Sequence, residues 1–241
     1  MATFLLVHGG GHGGWCYQRL AALLRAAGHE VYAPTLTGVG ERVHLLSPEV
    51  SLDTHITDIT NVITYEDLQQ VILVGHSYAG MVITGVADRV LQQSASRLSW
   101  LVYLDAAIPV NHESLVDCSP GIRQFAETDM QRVNDIDLVL WPGPVTQHIY
   151  GVYDADWQWI QPKLTPHPWR TFAEPLVLVD EAAVRRIPRA IINCKTTLDR
   201  RPESRRARYA QGDRVWQLDD APHDVMITQP HRVAELLLTL T

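Results

Sequence analysis

The chain has 241 residues, of which 46% are apolar and 20% charged, as is typical of one soluble globular domain with a substantial core. Its formal net charge is −7 and it carries no basic stripe, so nucleic acids and anionic membranes are poor candidates for partners. The three cysteines, Cys16, Cys118 and Cys194, are too few and too scattered for a disulfide framework or a metal site.

No segment has the pattern of a signal peptide or a membrane span. The first apolar run, Thr3 to Val7, is short, lacks a basic leader and continues directly into a glycine-rich loop. No apolar stretch reaches the length of about 20 residues that a transmembrane helix needs. We therefore expect a cytoplasmic protein. Two lysines against eighteen arginines indicate a bacterial source with a high-GC genome.

Short apolar runs alternate with helical patterns, which predicts a mostly parallel sheet with helices on both faces. The predicted strands are, in chain order, Thr3–His8, Glu30–Pro34, Val71–Gly75, Trp100–Asp105, Ala190–Cys194 and Arg214–Leu218. The predicted helices are Cys16–Ala27, Leu52–Tyr65, Ser77–Leu91 and Pro230–Leu240. The chain is therefore predicted to be a single α/β domain with a mostly parallel six-stranded sheet.

The regular alternation stops after Asp105 and resumes near Pro188. An insertion at this point would cover the carboxyl edge of the sheet, where open α/β folds bind ligands. We assign residues 1–105 and 188–241 to the core, and residues from about 106 to 187 to a helical lid inserted after the fourth strand. Four of the seven tryptophans lie in this lid; they are expected to build its core, with one or two as candidates for lining a substrate pocket.

A serine stands where the third predicted strand turns into a helix. Residues 75–80 read G-H-S-Y-A-G, which departs by one methyl group from the G-x-S-x-G pattern of a nucleophile elbow. A tight turn of this kind exposes the Ser77 hydroxyl above the sheet, and the glycines Gly75 and Gly80 let strand and helix approach closely. The helix N-terminus offers N–H groups and a positive dipole end to an oxyanion. Ser77 is therefore the candidate nucleophile.

A serine nucleophile needs a histidine base and an acid that orients it, and the chain order in this arrangement is serine, acid, histidine. His223 follows the last predicted strand, where the base is expected, whereas its rival His231 lies at the start of a predicted helix. Asp199 follows the fifth strand and is the preferred acid; otherwise it is a turn residue paired with a neighbouring arginine. Asp105, at the end of the fourth strand, is the alternative acid.

The first strand ends in a glycine-rich loop, H-G-G-G-H-G-G, over residues 8–14. Such glycines let backbone N–H groups approach a ligand, and a tetrahedral oxyanion needs two donors of that kind. The expected donors are the N–H groups of Gly10 and of Tyr78, the residue after the nucleophile. A phosphate-binding dinucleotide loop is the alternative, but the G-x-G-x-x-G spacing is not clean and Trp15 crowds the helix start. Because the loop occurs together with the nucleophile elbow, we interpret it as part of an oxyanion hole.

Together these motifs resemble the α/β-hydrolase branch that includes plant methylesterases and hydroxynitrile lyases. The resemblance rests on V-H-G-G-G-H-G-G-W at residues 7–15, A-A-G-H-E-V at 26–31 and the elbow at 75–80. P-T-L-T-G-V-G-E-R at residues 34–42 looks like the segment of bacterial relatives. The resemblance covers nearly the whole chain except the lid. It implies a sheet that begins at the oxyanion strand, a helical lid, and ester hydrolysis without a cofactor or a metal.

The same resemblance separates esterase from lyase. Hydroxynitrile lyases of this branch carry a threonine after the loop histidine and a lysine after the catalytic histidine, where this chain has Gly9 and Asp224. Two positions depart from the branch. Its acid is three residues after the cysteine of the fifth strand, which is Thr197 here, and Pro222 stands where glycine usually precedes the histidine.

The sequence therefore predicts a serine hydrolase that cleaves carboxylic esters of small, apolar or aromatic substrates through an acyl-enzyme. Two alternatives remain open. One is a lyase, lactonase or cyclase of natural-product biosynthesis that uses the same residues, and the other is a non-catalytic ligand receptor. A small-molecule ester is the expected partner, and neither its identity nor the oligomeric state follows from the sequence.

Overall fold

The structure, a computed structural model, describes residues 1–93 and 97–241. Within these residues the main sheet has six parallel strands in the order β2-β1-β3-β4-β8-β9, and a second, antiparallel sheet has the order β5-β6-β7. The strands are β1 Thr3–Val7, β2 Glu30–Tyr32, β3 Val71–His76, β4 Leu98–Leu104, β5 Gln131–Val133, β6 Ile136–Val139, β7 His167–Pro168, β8 Arg189–Cys194 and β9 Arg214–Leu218. The predicted α/β fold with a six-stranded parallel sheet is confirmed.

The α-helices of the described chain are α1 Gln18–Ala26, α2 Leu52–Tyr65, α3 Ala79–Leu91, α4 Leu115–Cys118, α5 Gly121–Asp129, α6 Pro144–Tyr150, α7 Asp154–Ile160, α8 Arg170–Ala173, α9 Glu181–Val184, α10 Lys195–Arg200, α11 Glu203–Arg206, α12 Val225–Thr228 and α13 Pro230–Leu238. Short 3₁₀ helices cover Gly14–Tyr17, Gly40–Leu45, Gln161–Lys163 and Ala207–Ala210. No helix of the described residues is both long and apolar enough to cross a bilayer.

Apolar side chains of successive strand residues pack on opposite faces of the main sheet. Leu5 and Leu73 belong to one buried cluster, and Phe4 and Ile72 belong to the other. Helices α2 and α3 contribute to the first cluster, and α1 and α13 contribute to the second. Because both faces are covered, the central strands are apolar at nearly every position. This is why continuous apolar runs located them in the sequence.

The segment between β4 and β8 contains helices α4–α9 together with the three-stranded sheet β5-β6-β7. The helices agree with the expected helical lid. The small sheet was not predicted, because its strands are only two to four residues long and too short to show a period-two pattern. The boundary of the lid at residues 106 and 187 stays a prediction.

Parallel strands place all their carboxyl ends at one edge of the sheet. The polar segments that leave this edge are the glycine-rich loop after β1, Ser77 after β3, Asp105 after β4, α10 after β8 and the His223 loop after β9. The topology therefore brings the segments that carry the candidate residues to one edge of the sheet.

Candidate active site

Ser77 occupies a strained turn between β3 and α3. Its φ is +56°, in the left-handed region that few residues other than glycine adopt. The two elbow glycines are required by close packing, since a Cβ at Gly75 would lie 2.8 Å from the carbonyl oxygen of Ala79 and one at Gly80 only 1.9 Å from that of Ala107. Strand and helix approach each other this closely only because both positions lack a side chain.

His223 connects Ser77 to a buried carboxylate. Its Nε2 lies 2.9 Å from Ser77 Oγ, and its Nδ1 lies 2.6 Å from Asp105 Oδ2. Burial would raise the pKa of Asp105, but the hydrogen bond and charge of His223 and the nearby Arg201 lower it overall. Burial likewise would lower the pKa of His223, and Asp105 raises it overall. An ionised Asp105 therefore accepts the Nδ1 proton, which leaves Nε2 free to accept the Ser77 proton.

The structure does not bring Asp199, the preferred acid, to His223. Asp199 lies on α10, where it pairs with Lys195 one helical turn away, and its side chain is 56% exposed. The geometry therefore favours Asp105, the alternative acid, over Asp199. The physical reason is that β8 continues directly into α10, so residue 199 is carried away from the sheet edge and turned to solvent beside its i−4 neighbour.

Position 197 is a threonine and has no carboxylate, so a candidate acid has to come from another strand. The resemblance places an acid at this position, but here the Thr197 side chain instead helps to lower the pKa of Asp105 and so favours the charged form of that carboxylate. The backbone N–H of Cys194 donates to the other oxygen of Asp105 at 3.2 Å. The absence of an acid at position 197 was the departure in the sequence that bore on this assignment.

His8 sets the direction of the Gly10 N–H group. Its Nε2 accepts from the N–H of Leu36 at 3.0 Å, so its Nδ1 carries the proton and donates to the Gly9 carbonyl oxygen at 2.9 Å. Burial lowers the pKa of His8 to about 3, which keeps the ring neutral. The Gly9 carbonyl and the Gly10 N–H belong to one planar peptide unit and point in opposite directions. The hydrogen bond that fixes the Gly9 carbonyl therefore also orients the Gly10 N–H.

The glycines of this loop let it approach the nucleophile. A Cβ at Gly9 would lie 2.8 Å from Ser77 Cβ, and one at Gly10 would lie 2.7 Å from the ring of Phe172. Tyr78 directly precedes α3, so its N–H is among those that lack an intrahelical partner. Its side chain is buried, and its hydroxyl lies 2.9 Å from His55 Nδ1. Gly10 and Tyr78 thus flank Ser77.

A cavity of about 380 Å³ opens onto Ser77, Asp105 and His223. Its wall is mainly apolar, and a polar part is formed by Ser119, Thr197, Arg200 and Arg201. Among the described residues that line it there is no tryptophan, and the aromatic side chains come instead from Phe125, Tyr150, Phe172 and Tyr78. The lid tryptophans that were alternative candidates for lining a pocket therefore do not line this cavity.

One group of described residues, His76, His223 and Asp224, places three possible metal-ligand atoms within 4.8 Å of one another. His223 is already hydrogen-bonded to Ser77 and Asp105, and His76 Nε2 lies 3.0 Å from the His223 carbonyl oxygen. These contacts describe a hydrogen-bonded cluster better than a metal centre. The sequence assigned no role in the site to His12, His76 or Asp224, because the motifs that contain or adjoin them use other residues, the loop glycines, Ser77 and His223.

A family profile described as "Alpha/beta hydrolase family" matches residues 4–236. The chain is 39% identical over 248 residues to a carbendazim hydrolyzing esterase of Nocardioides sp. (strain SG-4G), with 100% of both chains covered. It is 26% identical over 250 residues to a pFDCC methylesterase of Arabidopsis thaliana, covering 98% of this chain and 92% of that one.

Solved structures show the same architecture. An extracellular alpha/beta-hydrolase from a Paenibacillus species, described as sharing structural and functional homology with tobacco salicylic acid binding protein 2, superposes with a TM-score of 0.78. The two chains are 22% identical, and the match covers 100% of this chain and 99% of the other. At this identity the likeness concerns the fold.

Proposed function

The chain belongs to the alpha/beta hydrolase family and is a carboxylic ester hydrolase, and we propose that Ser77, His223 and Asp105 form its catalytic triad. The observation that carries the proposal is the continuous line of hydrogen bonds from Ser77 Oγ through both nitrogens of His223 to Asp105. All three residues line one cavity, so a bound ester would meet the nucleophile and its base together.

Acylation begins when Ser77 Oγ attacks the ester carbonyl carbon while His223 Nε2 takes the hydroxyl proton. Asp105 stabilises the imidazolium that forms and keeps its Nδ1 proton in place. The carbonyl oxygen becomes an oxyanion, which accepts hydrogen bonds from the N–H groups of Gly10 and Tyr78. His223 then donates its proton to the departing alcohol, and an acyl-enzyme on Ser77 remains.

Deacylation repeats these steps with water. His223 Nε2 removes a proton from a water molecule, whose oxygen attacks the acyl carbon. The same two N–H groups hold the second oxyanion. When it collapses, the bond from the acyl carbon to Ser77 Oγ breaks and His223 returns the proton to the serine. The products are a carboxylic acid and an alcohol, and the scheme uses no metal or cofactor.

The cavity supports a small substrate with an apolar or aromatic acyl group. Its volume of about 380 Å³ lies in the lower part of the range of ligand pockets. Its apolar wall includes Phe125 and Phe172, which offer flat faces to an aromatic ring. The names of two relatives, a carbendazim hydrolyzing esterase and a methylesterase, favour small alkyl esters, with methyl esters first. The substrate panel therefore contains carbendazim and a series of aryl and alkyl methyl esters.

The lyase alternative is disfavoured by two positions. A threonine side chain at Gly9 would begin 2.8 Å from Ser77 Cβ, closer than the present loop allows. The lyases carry a lysine at the position of Asp224. Asp224 is instead an acid that is fully buried against His12, so this position offers no positive charge to the cavity. An ester hydrolase needs neither feature.

The mechanism is tested by hydrolysis in ¹⁸O-labelled water with the wild type and Ser77→Ala. We expect one labelled oxygen in the acid product, a loss of activity by several orders of magnitude in the variant, and labelling of Ser77 by a fluorophosphonate. A Ser77→Ala variant that turns over esters at the wild-type rate would overturn the triad. Conversion of a substrate without incorporation of label would favour a lyase or cyclase.

The proposal also covers the source and the cellular location of the protein. We infer a bacterial protein that works in the cytoplasm. The free and buried state of Cys16, Cys118 and Cys194 is compatible with a reducing compartment, and the relative with 39% identity is bacterial. Fractionation of the source organism tests the location.

A further inference from the structure

The carbonyl group of Gly10 lies in a buried polar cluster that the ester mechanism does not itself use. It accepts hydrogen bonds from His12 Nδ1 at 2.8 Å and from the Tyr150 hydroxyl at 3.0 Å. The N–H on the other side of the same peptide unit, that of Gly11, donates to His167 Nδ1 at 3.2 Å. Both polar groups of this peptide unit are therefore hydrogen-bonded. These bonds restrict rotation of the Gly10 backbone, and with it the direction of the Gly10 N–H that is expected to bind the oxyanion.

The second nitrogen of His12 contacts a carboxylate on the loop of the catalytic base. His12 Nε2 lies 2.9 Å from Asp224 Oδ2, and both side chains are completely buried. Asp224 directly follows His223, and its backbone N–H donates to the carbonyl oxygen of Tyr150 at 3.0 Å. The His12–Asp224 pair thus connects the loop that carries an oxyanion donor to the loop that carries the base.

The hydrogen-bond pattern determines where the protons lie. The Gly10 carbonyl only accepts, so His12 Nδ1 carries a proton, and the contact between Nε2 and Asp224 requires a second one. Burial would raise the pKa of Asp224, but the charge and hydrogen bond of His12 lower it overall. His12 therefore has a hydrogen-bond partner at each nitrogen, and the pair shares one proton between His12 Nε2 and Asp224 Oδ2. A buried pair of this kind is costly to break at one end only.

The nucleophile side of the site is attached to the same cluster. His76, the residue before Ser77, donates from Nε2 to the His223 carbonyl oxygen at 3.0 Å. Burial lowers the pKa of His76 to about 3, so its ring is neutral and carries a single proton. That Nε2 also lies 3.7 Å from Asp224 Oδ1. The cluster therefore joins the loops of Gly10, Ser77 and His223.

We propose that His12 and Asp224 are positioning residues for the ester hydrolysis proposed above. They hold the Gly10 N–H and the His223 imidazole at a fixed position relative to each other. The inference rests on that proposed function. Neither side chain touches the substrate, because both are completely buried. A misplaced oxyanion donor stabilises the transition state less well, whereas binding of the substrate changes little. The effect is therefore expected in kcat rather than in KM.

The central test compares Asp224→Leu with Asp224→Asn. Leucine removes the link, whereas the amide of asparagine can donate to Nε2 of a neutral His12 whose Nδ1 still donates to Gly10. We expect Asp224→Leu to lower kcat about 100-fold, with KM changed by less than about threefold. Asp224→Asn is expected to recover at least about tenfold of that loss. The affinity for a trifluoromethyl ketone, which forms an oxyanion on Ser77, should fall in parallel with kcat/KM.

Tyr150→Phe provides a second variant that does not break the buried pair. It removes one of the two donors to the Gly10 carbonyl but keeps the ring, which lies 4.6 Å from the ring of His12. We expect kcat and trifluoromethyl ketone affinity to fall together by about threefold to tenfold. This variant decides the question if Asp224→Leu does not fold.

Tyr103→Phe is the matched control for a loss of stability alone. It removes another buried hydrogen bond, 2.9 Å long, between the Tyr103 and Thr84 hydroxyls, and neither residue lines the catalytic cavity. It should lower the melting temperature without changing kcat at 25 °C.

The outcomes separate the two proposals. If folded Asp224→Leu, checked by near-UV circular dichroism, keeps kcat and inhibitor affinity while the wild type hydrolyses esters, the positioning role is overturned. The same conclusion follows if Asp224→Asn is as impaired as Asp224→Leu, or if Tyr150→Phe behaves like Tyr103→Phe. If the wild type hydrolyses no ester, or if Ser77→Ala keeps full activity, the proposed function itself fails.

Discussion

The carboxylate of Asp105 lies 2.6 Å from Nδ1 of His223, although 118 positions separate the two residues in the chain. Their strands, β4 and β9, are not neighbours, since β8 lies between them. Asp105 therefore reaches across the end of β8, where the Cys194 N–H donates to its second oxygen. Asp105 itself has a φ of +45°, in the left-handed region that is uncommon outside glycine and that aspartate adopts more readily than most residues.

Substitution of the two candidate acids gives opposite expectations. Asp105→Asn should lower kcat by about ten thousandfold, because an amide stabilises neither the imidazolium nor the required tautomer of His223. Asp199→Asn should leave kcat unchanged, since it removes only an exposed pair with Lys195. Steady-state kinetics on one methyl ester measure both. Equal losses in the two variants would contradict the assignment of Asp105.

The pH dependence of kcat/KM should report the His223 base. Only its neutral form accepts the Ser77 proton. Although burial lowers the pKa of His223, Asp105 raises it overall above its ordinary value of 6.5. We therefore expect kcat/KM to rise with pH through an inflection above 6.5. In Asp105→Asn the His223 pKa, followed by NMR titration, should move down, and an unmoved pKa would argue against the charge of Asp105 as its cause.

Gly80→Ala tests the close packing of the elbow. The added Cβ would lie 1.9 Å from the Ala107 carbonyl oxygen, so we expect the free energy of unfolding to fall by about 3 kcal/mol or more. Gly121→Ala, at the start of α5 with no atom within 4 Å of its added Cβ, is the control and should be neutral or slightly stabilising. Urea unfolding followed by tryptophan fluorescence measures both. A neutral Gly80→Ala would show that α3 and the segment after β4 separate easily.

Glu113 should stabilise the protein through two arginines. Its carboxylate accepts from Arg205 at 2.7 Å and from Arg208 at 3.0 Å. Burial would raise the pKa of Glu113, but these arginines lower it from 4.5 to about 2. Glu113→Gln is therefore expected to reduce the free energy of unfolding by about 1–3 kcal/mol at pH 7.

The sign of the pH effect follows from the lowered pKa. The contribution of Glu113 is complete above pH 4.5, the unfolded value, and is lost as the pH falls through about 2. Urea unfolding at pH 7 and pH 3 should therefore show a smaller difference between wild type and Glu113→Gln at pH 3. A difference that stays constant with pH would assign the effect to packing instead.

The main sheet and the candidate nucleophile were predictable because their signals are local. The doubly covered strands are continuous apolar runs, and the elbow combines a strand, a serine and two closely packed glycines within a few residues. His223 was predictable from its place between β9 and the terminal helices. The small antiparallel sheet and the composition of the cavity wall were not predictable, because short strands and inserted loops carry no periodic pattern.

The sequence by itself determined the family, the sheet, and the positions of Ser77 and His223, since each depends on neighbours in the chain. Only the tertiary structure favours Asp105 over Asp199 as the acid, because both follow a parallel strand at the same edge. The continuation of β8 into α10 turns Asp199 toward Lys195 and solvent, while the vacant carboxylate position beside His223 is filled from β4 by Asp105. The cluster of His12, His76 and Asp224 likewise exists only in three dimensions, as 212 positions separate His12 from Asp224.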